Sequence, residues 1–346
     1  MKTKIFSLLA LIATGFVSLF KGAAEKLHAG LFGYMHRSGL VLGAAPMRST
    51  DFRPIVEPIL NEFFDGVYDM RPDEWKQIFR EQQGIPRAYH EEPVGYGFGP
   101  APLLPDGSPV TYQQGGILFN KRYPYSVFGL AFALTRVLVE DGDHIRIGST
   151  FSKHLAQSMI DTKETRCANV LNRAFNSSYV GGDGVSLSNA AHPLVNGTFS
   201  NVLATPAALS QTSLEQVLIQ ISKAVDNNGK KIRLRPKKLT VSPDSRFQAE
   251  VLLKSVLRAG TNNNDINPVK SMGELDSEAA ILSRLTSATA WWVNTDAPEG
   301  LKLMMRRKLE KSMEGDFETD SIRYKATERY IEGWTDPRAL FGTAGA

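Results

Sequence analysis

Apolar residues recur at three- and four-residue steps from Phe151 to Phe175, through Leu155, Met159, Ile160, Cys167, Val170, Leu171 and Ala174. That spacing predicts a single amphipathic helix of about seven turns. Lys153, Asp161, Lys163, Glu164 and Arg173 fall mostly on its other face. No Pro or Gly interrupts the run, and Asn176 with Gly181-Gly182 supplies a stop. The chain then enters a glycine-rich loop that ends near Pro193.

The same period marks shorter helices. Residues 54–83 read as helical pieces, with Pro54 suited to a first turn and Ile55, Val56, Ile59, Leu60, Phe63 and Phe64 in helical spacing. Ser213 to Val225 places Leu214, Val217, Leu218, Ile221, Ala224 and Val225 on one face. Ser213 is the expected N-cap and Asn227-Asn228-Gly229 the stop. Ser245 to Arg258 reads as another helix, closed by Gly260. Strands are expected at Lys238 to Val241, within Leu282 to Asp296, at Leu301 to Lys311 and across Phe317 to Trp334, whereas Tyr125 to Val139 carries mixed signals. Helices and strands are interspersed without βαβ repetition, which places the chain in the α+β class.

One stretch fits neither period. Eleven of the 24 residues from Pro93 to Gly116 are Gly or Pro, which excludes a regular helix. Pro105-Asp106-Gly107 is a turn signal, and the flanks hold Tyr89, Tyr96, Phe98, Tyr112 and Phe119. A long extended hairpin projecting from the body is expected, and loops of that length are usually functional.

Length and composition fit a globular chain of two or three units, with 346 residues and 42% hydrophobic content. The net charge is only +4, but basic residues cluster at Lys230 to Lys238 and Arg306 to Lys311. Such clusters suit a solvated face, or contact with nucleic acid or an acidic partner. Cys167, the single cysteine, excludes an internal disulfide and reads as a buried structural thiol.

Candidate chemistry is sparse. The six histidines are scattered singly, and HExxH, CxxC and EF-hand patterns are absent. Asp141-Gly142-Asp143-His144 reads as a turn before the long helix, Gly95-x-Gly97-x-Gly99 lacks the context of a phosphate loop, and His90-Glu91-Glu92 reads as a polar rim at the hairpin base. Ser186 or Ser188 near His192 is a weak hydrolase candidate. The sequence therefore assigns no catalytic, cofactor-binding or metal-binding residue and no cofactor, and the chain is not expected to be an enzyme.

The amino terminus supports two readings. Lys2 and Lys4, the run Ile5 to Phe20 and the small residues Gly22 to Ala24 have the layout of a secretory signal, which would suit an exported or envelope-anchored binding protein. However, Ser7, Thr14, Ser18, Lys21 and Glu25 form one narrow helical stripe, as in a helix covered by partner subunits. A retained arm over residues 1–50 is the expected outcome, with no membrane role.

Asp183-Gly184-Val185-Ser186-Leu187-Ser188-Asn189-Ala190-Ala191-His192-Pro193, followed by Asn201-Val202-Leu203, and the ending Arg329-Tyr330-Ile331-Glu332-Gly333-Trp334-x-Asp336-x-Arg338 carry a resemblance. With the order of arm, extended loop, long helix, mixed domain and β-rich end, the chain resembles the major capsid proteins of tailed bacteriophages. It looks most like the Mu-like major head subunit branch of the Hong Kong-type phage capsid fold. The resemblance implies a peripheral domain from 51–84, 126–202 and 296–346, with a spine helix near 148–176. It also implies an extended loop at 85–125 and an axial domain at 203–295. It further implies a structural subunit that self-assembles into hexamers and pentamers of an icosahedral shell around double-stranded DNA. Expected partners are the chain itself, a separate scaffold protein, a portal, a decoration protein and, through one of the basic clusters, the packaged double-stranded DNA without sequence reading, with assembly in the bacterial cytoplasm and residence in the virion. Lys121 lies near the loop, but no cross-linking pair can be assigned to it.

Overall fold

The computed structural model describes residues 49–70, 73–135, 137–138, 144–258, 265–316, 318–319 and 321–346. The chain divides into a unit of residues 1–48 and one of residues 49–346, and every described element belongs to the second. The expectations for the N-terminal arm and signal, for Asp141-Gly142-Asp143 and for Gly260 lie outside the described residues.

Two four-stranded sheets form the framework, in an α+β arrangement. The first has the order β1 (Arg80–Gln83), β10 (Leu301–Asp316), β11 (Ser321–Trp334), β4 (Ser126–Thr135). β10 and β11 form a long antiparallel hairpin running from the Leu301–Trp334 pair to the Asp316–Ser321 pair, and β4 adds to β11 from Thr135 opposite Ser321. The second sheet has the order β12 (Leu340–Thr343), β9 (Trp291–Thr295), β7 (Pro236–Val241), β8 (Ala280–Ile281). The carboxyl end thus leaves the first sheet at Trp334 and closes in the second. Tyr125 to Val139, ambiguous in sequence, resolves into β4 over most of its length.

Helix α1 (Ser49–Tyr68) and helix α2 (His144–Asn172) pack together over the first sheet. Leu155, Ala156 and Met159 of α2 meet Val56, Leu60 and Phe64 of α1 and Ile322, Tyr324 and Ala326 of β11 in one core cluster. Ser152 fits this close crossing because its Oγ donates to the Leu60 carbonyl at 2.7 Å. Toward its carboxyl end α2 places Cys167 and Leu171 in a second cluster with Trp75, Trp292, Leu303, Tyr330 and Trp334. Truncating a residue as enclosed as Leu171 to Ala typically costs about 2–5 kcal/mol.

The predicted spine differs from the observed helix in three ways. The observed helix begins earlier and ends at Asn172, where Ala174 N–H bonds the Leu171 carbonyl and Asn176 N–H the Arg173 carbonyl, so the chain tightens into three-residue turns well before the glycines. Lys163 and Glu164, read as solvent-facing, are 7% and 5% exposed. Phe151, read as core, is 43% exposed and only edges Phe132. The helix lies between two layers, and polar partners from both sides reach its nominally polar face.

The second layer carries helix α3 (Gln211–Ser222), helix α4 (Arg246–Lys254) and the short helix α5 (Pro268–Met272) around β7 and β9. Leu214, Val217, Ile221, Leu239, Val241, Leu252, Trp291 and Phe341 form its core. The N-cap of α3 is Ser210, not Ser213. Ser213 sits at the third helical position, and its hydroxyl accepts the Ser210 N–H in a capping box. α4 stops at Lys254, because Ser255 turns extended and Leu257 bridges to Ile266.

Candidate functional site

β2 (Tyr89–Tyr96) and β3 (Gly116–Pro124) pair antiparallel, with a bulge between Val94 and Gly95, and carry residues 97–115 beyond the body. Of that segment only Asp106-Gly107 forms a turn, as the Pro105-Asp106-Gly107 signal predicts. Its apolar side chains lack covering. Phe98, Leu103, Val110 and Tyr112 are 60%, 93%, 62% and 94% exposed, and Ile117 at the start of β3 is 68% exposed. Clustered exposure of this kind marks an interaction surface.

The base of this hairpin is held by a polar knot. Glu92 pairs with Lys302 and accepts from Thr335 Oγ1, and Lys302 Nζ also reaches Glu299 Oε2 at 2.6 Å. His90 Nε2 lies 3.0 Å from Glu92 Oε1. Tyr123 OH donates to the Trp334 carbonyl at 2.5 Å, fixing β3 to the end of β11. Burial pushes the Glu92 carboxyl up, but its bonds to Lys302, Thr335 and His90 outweigh that and hold it below the usual carboxylate value. His90-Glu91-Glu92 is therefore divided: Glu91 pairs with exposed Arg122, while Glu92 turns inward. Sequence reasoning missed Glu92, Lys302 and Thr335 as a unit. Only the alternation of strand faces at 90–92 hinted at it.

The glycine-rich loop is the seat on which the hairpin rests. A Cβ on Gly181 would run into the Trp334 ring, and one on Gly182 would lie 2.6 Å from Phe119 Cδ2. Lys121 Nζ donates to the Val180 carbonyl at 3.0 Å, and burial lowers its pKa. Farther out, Asn227 Nδ2 donates to the Gly95 carbonyl at 2.8 Å and Asn228 Nδ2 to the Gly97 carbonyl at 2.7 Å. The hairpin is positioned by the body, and its tip is left free.

Asn201 organises the same loop. Its Nδ2 donates to the carbonyls of Leu187, Pro337 and Leu340 at 2.7, 3.1 and 3.0 Å, and its Oδ1 accepts the Asn189 N–H at 2.8 Å. His192 sits between Asp183 Oδ2 at 2.6 Å and Asn201 Oδ1 at 3.2 Å. Both ring nitrogens are thus engaged, and neither candidate serine joins them. Ser186 Oγ donates to the Ser188 carbonyl at 3.3 Å, and Ser188 Oγ accepts from Trp292 Nε1 at 3.3 Å. Both serines are buried, so the arrangement is a structural brace and not an activated hydroxyl.

Burial also raises the pKa of Cys167, leaving an unreactive thiol. Among the described residues no group of three or more His, Cys, Asp or Glu could hold a metal ion, and no helix is long and apolar enough to cross a membrane.

A family profile described as phage capsid protein matches residues 124–342, well over half of the chain. No curated protein matches the sequence. Among solved structures, the capsid of the cyanophage P-SCSP1u aligns at 10% identity, covering 78% of this chain and 86% of that one with a TM-score of 0.48. The virus-like particle from Pyrococcus furiosus aligns at 9% identity over 83% of this chain and 98% of the other, with a TM-score of 0.47. A phage-related protein from Bordetella bronchiseptica RB50 aligns at 14% identity over 83% and 96%, with a TM-score of 0.46. The family match does not single out the Mu-like branch. The chain belongs to the phage capsid protein family and is a structural major capsid protein.

Proposed function

We propose that the protein closes into hexamers and pentamers, and that these build an icosahedral shell around double-stranded DNA. The carrying observation is the hairpin beyond β2 and β3, held firmly at its base while Leu103, Val110 and Tyr112 stand uncovered at its tip. An apolar surface offered away from its own body fits a heterologous contact, in which one patch meets a different patch of the next copy and the ring closes by rotation. In this reading residues 51–84, 126–202 and 296–346 form the peripheral domain, residues 203–295 the axial domain and residues 85–125 the extended loop. Residues 1–50 would serve as an arm. A scaffold protein, a portal and a decoration protein would complete assembly in the bacterial cytoplasm, and the role needs no catalysis.

Deleting residues 97–115 tests the reading. The expected product melts cooperatively near the wild-type temperature but remains as subunits or irregular aggregates by electron microscopy. Regular shells from the deleted chain would refute the hairpin's role.

A further inference from the structure

We infer that Lys231, Arg233, Arg235 and Lys237 form a ridge that holds the phosphate backbone of double-stranded DNA without reading its sequence. The inference rests on the proposed DNA-enclosing shell.

The ridge arises from strict alternation. Lys231, Arg233, Arg235 and Lys237 are exposed, while Ile232 and Leu234 between them are half-buried and pack on the core of the second layer. The segment enters β7 at Pro236, and a bulge between Pro236 and Lys238 keeps Lys237 outside. Alternate residues of an extended chain stand about 6.6 Å apart, so four cations span about 20 Å. A duplex presents roughly twelve phosphates over that length on its two strands, so several lie within reach of the ridge whatever the register.

The other basic run of the chain provides the contrast. Arg306 donates to the Ile85 carbonyl at 2.7 Å, Arg307 pairs with Glu310 at 3.4 Å, and Lys311 pairs with Asp65 at 2.6 Å. Two of its cations are thus neutralised by carboxylates within the subunit. Among the described residues no side-chain hydrogen bond or ion pair engages the four ridge cations. At its Lys237 end the ridge meets a groove of about 380 Å³ that Arg80 and Lys238 also line. Asp276 and Asp296 lie in it as well, and Asp296 Oδ1 accepts the Arg235 backbone N–H at 2.9 Å, leaving the guanidinium unpaired. Evenly spaced, hydrated cations on an open ridge suit a regular polyanion. An acidic peptide, with irregular carboxylates, gains little from such spacing.

The test titrates full-length protein, held as unassembled subunits, with a mixed-sequence duplex between about 50 and 200 mM salt. With about four phosphates engaged, wild type should lose roughly a hundredfold more affinity across that range than K231Q/R233Q/R235Q/K237Q. Reversal in R233E/R235E, confirmed folded by circular dichroism and changing the charge by the same four units, should weaken binding to a similar extent. Equal salt dependence in wild type and the fourfold variant overturns the inference, as does polyglutamate binding as tightly as the duplex at equal charge. Wild-type chains that form regular shells yet bind no duplex overturn the ridge alone. Wild-type chains that never form shells, even when expressed with the scaffold protein of the same assembly, overturn the assembly reading instead.

Discussion

Glu164 shows how a single side chain can set both local structure and pH response. From the middle of α2 its Oε1 accepts the Glu74 N–H at 2.7 Å and its Oε2 the Trp75 N–H at 3.1 Å, which anchors a short helical turn before β1. Burial, with the nearby Glu74 and Asp73 carboxylates, pushes its pKa up to about 7 against the opposing pull of those two N–H groups. The folded state therefore keeps a proton that the unfolded chain releases near pH 4.5. Stability from this group is present in full below that value and declines as pH rises toward 7. Glu164→Gln retains one acceptor and never ionises. Its unfolding free energy relative to wild type should improve by about 1–2 kcal/mol between pH 5 and 8. Denaturant titrations at both pH values would check this, and a pH-independent difference would contradict it.

At the level of elements, the glycine-rich loop is a packed seat and not a slack connection. Gly181→Ala would force a methyl against the Trp334 ring, and such overpacking costs about 1–3 kcal/mol. Gly97→Ala, with open space around it, should stay within about 0.5 kcal/mol of wild type. Paired thermal melts decide the matter, and equal midpoints would mean the seat yields. The loop's composition was visible in the sequence, but its cause was not, because Trp334 lies far along the chain. Similarly, the 3.6-residue period of Leu155, Met159 and Leu171 gave α2 directly. Lys163 looked solvent-facing because its partners, Glu328 Oε2 and Tyr68 OH, each at 2.7 Å, come from distant elements. Ser210 escaped notice as a cap because Ser213, in the same capping box, has the same preference. The hairpin was legible from its Gly and Pro content, whereas the Glu92, Lys302 and Thr335 knot required knowing which strands meet at its base.

Across the whole molecule, two groups of carboxylates act in opposite directions. Glu92 is held below its ordinary value by Lys302, Thr335 and His90 despite burial, so its contribution is present above about pH 4.5 and is lost as acid protonates it. Glu164 and Glu332 are raised by burial, and for Glu332 the pairing with Arg166 at 2.6 Å only partly offsets the shift. Their contributions are full at low pH and fade as pH rises through their folded-state values. These groups together are most favourable near pH 4.5, with Glu92 losing its contribution below that value and Glu164 losing its own between there and about 7. They also separate in space, since Glu92 secures the hairpin while Glu164 belongs to α2 and Glu332 pairs with Arg166 of the same helix. Acidification should therefore release the hairpin first. Hydrogen exchange below about pH 4, corrected for intrinsic rates, should show amides of β2 and β3 losing protection before those of α2. Above about pH 7 the order should reverse, with the segment around Trp75 loosening first. Simultaneous loss across both regions at either extreme would show that the hairpin base and the helix unfold as one cooperative unit and do not respond separately to pH.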